Sequence, residues 1–295
     1  MASESVAGSV PAAVTDAASP IVRTCYRHPD RKAGVVCQRC DRPICPQCMH
    51  QASVGFHCPE CTKTGKQKVY TRANLQVLNR PMLTYVLVGL NVAIFLAGLV
   101  YESTDAWLEN SHGFNGFTFE GGLFGPFIAD GEWWRIVSAG FLHASVIHIL
   151  MNMFALFRIG QILEPAIGRA RFGAVYGTSL LTGALGVMIL GPNEITVGAS
   201  GAIFGLFGLM FLATRANGID PWSSGIGITI GINLLITFGI PGISIGGHLG
   251  GLAGGALCGY LLYDVGPKQR WTVQQQVGTI AGVGLAAAVA CILIA

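Results

Sequence analysis

The sequence predicts an all-α polytopic membrane protein preceded by a small zinc-stabilised domain, and three observations carry that prediction. The 295 residues are 52% hydrophobic and only 11% charged, against about 25% charged in ordinary soluble domains. Seven apolar stretches follow residue 80, each near the ~20 residues that a helix needs to cross hydrocarbon. Seven of the nine cysteines and 11 of the 18 Lys and Arg fall before residue 81, leaving seven basic residues in the other 215. A basic, cysteine-rich head precedes an apolar body, and the net charge of +3 follows from that division.

Residues 1–20 are rich in Ala, Ser, Val and Pro. They lack the basic start and unbroken apolar core of a secretory signal and are expected to form a disordered tail. The head, residues 21–64, carries Cys25-x2-His28, Cys37-x2-Cys40, Cys45-x2-Cys48 and Cys58-x2-Cys61. Eight soft ligands in four close pairs make two tetrahedral Zn sites and indicate a reducing, cytosolic setting. An interleaved pairing is expected, with Cys25, His28, Cys45 and Cys48 on one ion and Cys37, Cys40, Cys58 and Cys61 on the other; His57 is an alternative to Cys58. Closed ligation makes both sites structural, and so short a segment needs metal to fold. The pattern resembles B-box-type zinc fingers. His50 is read as a surface histidine.

A basic linker at 65–80 contains Lys66, Lys68, Arg72 and Arg80, residues of the kind that mark a cytoplasmic face and touch anionic lipid. They give no reason to invoke nucleic acid. The apolar segments are placed at about 82–101, 145–163, 172–191, 195–214, 226–242, 243–263 and 277–295. Six form a core at 81–265; a linker and the seventh occupy 266–295. The loop from Glu102 to Ala144 is rich in Phe, Gly and Trp, which suits an interfacial position, although Ile136 to Leu142 could instead extend the second helix. With the head inside, Arg158, Arg169, Arg171, Arg215, Lys268 and Arg270 all fall in inner loops. Arg135 is the one exception.

In that topology segments two, four and six begin on the outer face. Ser200 and His248 each lie five residues inside their segments, roughly 7 to 8 Å deep at 1.5 Å per residue. If Ser145 caps segment two, His148 and Asn152 bracket that depth on one helix face. A serine hydroxyl needs a base to become a nucleophile, and His248 is suited to that task. The Ser200 amide and the side chains of His148 and Asn152 are suitable oxyanion donors. Glu164, Glu194, Asp220 and Asp264 sit at segment ends or in loops, so a Ser-His dyad without a carboxylate is expected. Gly247, Gly251, Gly255 and Gly259 recur at i+4, as Gly201, Gly205 and Gly208 line segment four, so the His248 face is expected against segment four.

Over about residues 80–265 these features resemble the rhomboid family of intramembrane serine proteases. The resemblance runs through Trp134-Arg135, His143-x4-His148-x3-Asn152, Gly198-x-Ser200-Gly201 and His248-x2-Gly251-x3-Gly255. It implies a six-helix core, Ser200 as nucleophile, His248 as base, and an oxyanion hole of His148, Asn152 and the Ser200 amide. It also implies a structural His143 near the mouth of the site and a place for Arg135 in a loop within the outer leaflet. Gly247 stands where the family often has Ala, and Phe204 where several members have Tyr; the ring can stack on His248 but offers no hydroxyl. The implied activity is endoproteolysis of single-pass membrane proteins in or near their transmembrane segments. It would take place in the cell membrane, with the N-terminus cytoplasmic, the site open to the extracytoplasmic side and the zinc domain free to bind a cytosolic partner. A non-catalytic rhomboid-like protein that binds membrane helices is the alternative, and a transporter or channel a further one. No His-Glu-x-x-His motif points to an intramembrane zinc protease.

Overall fold

The computed structural model describes residues 23–65, 80–101 and 116–295. The expected tail, most of the basic linker and residues 102–115 of the long loop lie outside the described residues. The chain divides into two compact units, Met1–Arg72 and Ala73–Ala295.

The first unit is built on two antiparallel strand pairs, β1 (Val35–Val36) with β2 (Pro43–Ile44) and β3 (His50–Gln51) with β4 (Phe56–His57), followed by a short helix, Pro59–Thr64. Its core is six cysteines and Ile44, with Tyr26, Val35, Cys40, Met49 and Phe56 packed around them. That is too little apolar surface to hold so small a unit, and the cysteines must be tied by something stronger than dispersion.

The second unit is an all-helical, multi-span membrane body. Its long helices are α1 (Met82–Tyr101), α2 (Val146–Ile167), α3 (Arg169–Leu190), α4 (Ser200–Ala216), α5 (Ile226–Gly239), α6 (Ile245–Tyr260) and α7 (Val273–Ile294). A π-turn at Leu261–Val265 and one more helical turn prolong α6 to Lys268. α1, α2, α3, the prolonged α6 and α7 are long and apolar enough to cross a membrane, whereas α4 and α5 have only 17 and 14 residues. At 1.5 Å per residue α4 spans about 25 Å, short of the ~30 Å hydrocarbon core.

Segment four therefore starts at Ser200, not at 195. Ile195 to Val197 are apolar, but the chain there runs extended: Thr196 bridges Leu123, and the Gly198 amide donates to the Ala139 carbonyl at 2.8 Å. Ser200 is the first residue of its helix, not the sixth of a longer one. Ile136 to Leu142 do not extend α2 either. They form a short helix, Arg135–Ser138, and a 3-10 turn, Ala139–Phe141, before Leu142 turns extended. Ser145 then caps α2 by accepting from the His148 amide at 3.2 Å.

Glycine sets the packing order. A Cβ at Gly251 or Gly255 would overlap the carbonyl oxygen of Gly201 or Gly205, so α4 and α6 run parallel with their backbones touching. A second stripe on α6, Gly246, Gly250 and Gly254, meets Gly186 and Thr182 of α3 in the same manner. α6 is thus held on two sides at backbone contact. Glu164, fully buried on α2, accepts from the amides of Leu83 (2.9 Å) and Thr84 (2.7 Å) and from Thr84 Oγ1 (2.8 Å), capping the start of α1 from a neighbouring helix. Arg169 Nε stands 3.6 Å from the same carboxylate. α7 packs on α3, where Thr178 donates to the Ile280 carbonyl at 2.8 Å and Arg171 to Gln276 at 2.6 Å.

Candidate active site and metal clusters

Three helix N-termini meet around Ser200. The residue before its N-cap, Gly198, has φ +129°, which L side chains rarely adopt. A Cβ there would also stand 2.7 Å from His148 Nε2 and 3.7 Å from Ser200 Oγ. His148 Nε2 therefore reaches across the Gly198 backbone to the neighbourhood of the serine. Gly201, one residue on, lies against the Gly247 carbonyl of α6. Ser200 is half-buried, and its amide is in the first turn of α4, where N–H groups have no intrahelical acceptor.

His248, 8% exposed, lies in the first turn of α6. Its ring stacks on Phe204, centroids 4.0 Å apart and planes 16° from parallel. Asn152 is buried one turn along from His148 on the same face of α2. Among the described residues no hydrogen bond joins Ser200 Oγ to His248. His248 Nδ1 is instead 2.7 Å from Thr237 Oγ1 of α5, a partner the sequence reading did not include. His143 is fully buried, edge-on to His148 at 5.0 Å, with neither ring nitrogen hydrogen-bonded among the described residues. It is a buried neighbour of His148.

Arg135 lies away from these groups, in the loop. Its guanidinium donates to the Phe119 carbonyl at 2.6 Å and the Gly122 carbonyl at 3.0 Å, pairs with Glu132 and lies over the Phe127 ring at 4.4 Å. The buried charge is thus met by a carboxylate, two carbonyls and a ring, which accounts physically for the one basic residue expected outside the inner loops.

In the first unit the ligand atoms of Cys25, His28, Cys45 and Cys48 lie within 4.8 Å of one another, as do those of Cys37, Cys40, Cys58 and Cys61. His28 Nδ1 is 3.8, 3.5 and 3.4 Å from the sulfurs of Cys25, Cys45 and Cys48, and Cys40 Sγ is 3.8 Å from Cys58 Sγ. A tetrahedron with metal–sulfur bonds of about 2.3 Å has edges of about 3.8 Å, so both tetrads fit a tetrahedral ion. The pairs interleave as expected. His57 is not in either tetrad; it sits in β4 opposite exposed His50. Burial pushes the Cys25 thiol up, but the amides of Cys45, Arg27 and His28 outweigh it and bring it down to about 6. Burial and the neighbouring sulfurs push Cys48 up to about 11, and the Cys58 sulfur, then burial, push Cys61 to about 12. Without a cation the sulfurs of a tetrad, three in the first and four in the second, oppose one another's ionisation.

Comparison with known proteins places this arrangement. The family profile for the rhomboid domain matches residues 130–265. YdcA of Bacillus subtilis (strain 168), named for the rhomboid proteases, is 34% identical over 185 residues, covering 61% of this chain and 88% of YdcA. The rhomboid protease GluP of the same organism is 31% identical over 179 residues, 60% of this chain and 34% of GluP. RHOMBOID-like protein 7 of Arabidopsis thaliana is 34% identical over 154 residues, 50% of this chain and 48% of that protein. The chain thus covers most of YdcA but half or less of the other two. A polytopic helical protein with a serine and a histidine at adjoining helix N-termini is the class that fold and site define. Within that class, the chain belongs to the rhomboid family.

Proposed function

We infer that this chain is an intramembrane serine endopeptidase that hydrolyses peptide bonds in or near transmembrane segments of single-pass membrane proteins through a Ser200–His248 dyad. The observation that carries the reading is the meeting of the α2, α4 and α6 N-termini, with Ser200 first in α4, His148 Nε2 across Gly198, and His248 stacked on Phe204. Ser200 Oγ attacks the scissile carbonyl carbon while His248 Nε2 takes its proton. The carbon–nitrogen bond then breaks, that proton passes to the leaving amine, and water repeats the two steps to release the acyl group. Negative charge on the carbonyl oxygen is met by the Ser200 amide, His148 Nε2–H and the Asn152 amide group, at the positive end of α4. His143, Gly198, Gly201, Gly251 and Gly255 hold these groups in place, and Arg135 orders the loop.

The proposed division is a zinc unit at 21–64, a catalytic core at 81–265 and an added helix in 266–295. Each tetrad holds one structural Zn, and catalysis needs no cofactor. The distribution of basic residues supports a cytoplasmic N-terminus and a site open to the extracytoplasmic side; in that orientation the zinc unit is free to bind a cytosolic protein partner. One observation favours a non-catalytic, helix-binding rhomboid-like protein: the missing hydrogen bond between Ser200 and His248. Catalytic hydrogen bonds often tighten only when substrate is bound, and both reactive groups are present.

The deciding experiment reconstitutes the protein in liposomes with a tagged single-pass substrate and compares wild type with Ser200→Ala and His248→Ala. Wild type is expected to cut near one membrane boundary, and both variants, still folded, to lose about 10⁴-fold or more in rate. Equal cutting by all three, or none by wild type across several substrates, overturns the protease reading.

A further inference from the structure

His248 is held at its Nδ1. That atom lies 2.7 Å from Thr237 Oγ1, which belongs to a different helix, α5. The same Oγ1 lies 2.7 Å from the backbone carbonyl of Asn233, one turn earlier. Thr237 is 2% exposed. A hydroxyl has one hydrogen to give and two lone pairs to receive with, whereas a carbonyl oxygen can only receive. The Thr237 hydrogen therefore goes to Asn233. For the second short contact to be a hydrogen bond, the proton between Nδ1 and Oγ1 must belong to the imidazole. The opposite assignment would leave the oxygens of Thr237 and Asn233 2.7 Å apart with no hydrogen between them.

We propose that Thr237 is the positioning residue of the dyad: its Oγ1 receives Nδ1–H and so fixes the neutral His248 ring in the tautomer whose Nε2 is an unprotonated base. The assignment of His248 as base is that of the preceding section; the tautomer stands on its own. Phe204 fixes the plane of the ring by stacking, and Thr237 fixes its rotation within that plane. When the serine proton moves to Nε2, both nitrogens carry hydrogen and the ring becomes cationic; Nδ1–H stays donated to Oγ1 throughout. A hydroxyl steadies that cation less than a carboxylate would, because it brings a dipole and no charge. It also leaves no ion buried in the membrane at rest. The dyad is thereby tied to α5 as well as to α4 and α6.

The test is ¹⁵N NMR of the full chain labelled at histidine in lipid nanodiscs, with His248 assigned by the signals lost in His248→Ala, at a pH where it is neutral. In wild type and in Thr237→Ser the proton is expected on Nδ1. In Thr237→Val, which keeps the shape and drops the hydroxyl, it is expected to move wholly or in part to Nε2. In the liposome assay Thr237→Val is expected to lower kcat roughly 10- to 100-fold with KM within about twofold, and Thr237→Ser to stay within about threefold of wild type. A wild-type His248 protonated on Nε2 overturns the proposal, whether or not Thr237→Val folds. So does a Thr237→Val enzyme with wild-type kcat, or a Thr237→Ser enzyme as impaired as Thr237→Val. The spectrum needs no turnover, so an inactive wild type would sink the protease reading without touching the tautomer assignment.

Discussion

At Gly198 two independent demands meet in one residue. The backbone sits at φ +129°, and the space that a methyl group would fill is already taken by His148 Nε2 at 2.7 Å. Gly198→Ala must therefore strain the turn and push the imidazole aside. The strain costs roughly 1–3 kcal/mol, enough to lower Tm by about 2–10 °C, while a displaced oxyanion donor costs about 10²-fold or more in kcat. A Gly198→Ala protein that cleaves at the wild-type rate would place His148 outside the oxyanion hole. The Gly-x-Ser-Gly motif itself is readable from sequence; the backbone angle behind it is not. Thr237 was hidden for a different reason. Threonine in an apolar helix ordinarily bonds back to the carbonyl four residues earlier, as this one does to Asn233, and nothing in residues 226–242 tells which helix its second lone pair will face. A search for carboxylates passes it by.

At the scale of helices, α6 is the element whose packing decides the site, because it carries His248 and touches α4 through one glycine stripe and α3 through another. The stripe at 247, 251, 255 and 259 was legible as an i+4 series next to the histidine. The second, at 246, 250 and 254, obeys the same spacing and was equally present in the sequence. The start of α4 was not legible, because Ile195 to Val197 are apolar whether they are helical or, as here, extended against Leu123. Composition registers burial and cannot register the bridge. The stripes make a sharp comparison possible. Gly251→Leu must drive α6 away from the Gly201 carbonyl, whereas Gly282→Leu on α7 enters open space. Overpacking of this kind costs about 1–3 kcal/mol or more. The Gly251 variant is expected to melt several degrees lower and to lose cleavage, and the Gly282 variant to match wild type in both. Thermal melts and cleavage rates of the pair check this, and equal behaviour would mean that α4 and α6 are not in backbone contact.

For the molecule as a whole, the two units are held by different physics, and that difference is testable by removing one support. The membrane body rests on helix packing and on caps such as Glu164 at the start of α1. The first unit rests on its cysteines, whose four close pairs are legible in the sequence; their spacing favours the interleaved grouping without fixing it, and the tetrads are seen only where the fold brings the ligand atoms together. Its apolar core is a single fully buried isoleucine among sulfurs. Its thiols oppose one another's ionisation when no cation is bound, with Cys48 at about 11 and Cys61 at about 12. A divalent ion removes that opposition, so metal binding and folding of this unit should be one event. The purified chain is expected to hold two Zn. A strong chelator should release both and abolish amide protection across residues 23–65 while leaving the helical signal of the body unchanged. Deletion of residues 1–64 should likewise leave the helical signal of the body unchanged. Because none of the eight ligands is among the groups proposed for chemistry, cleavage of the tagged substrate should stay within about twofold of wild type in both cases. Hydrogen exchange, metal content and cleavage rate, measured on one preparation, separate the outcomes. Loss of cleavage with an intact helical body would mean that the zinc unit takes part in presenting substrate; persistent protection after metal loss would mean that its fold does not depend on the ions.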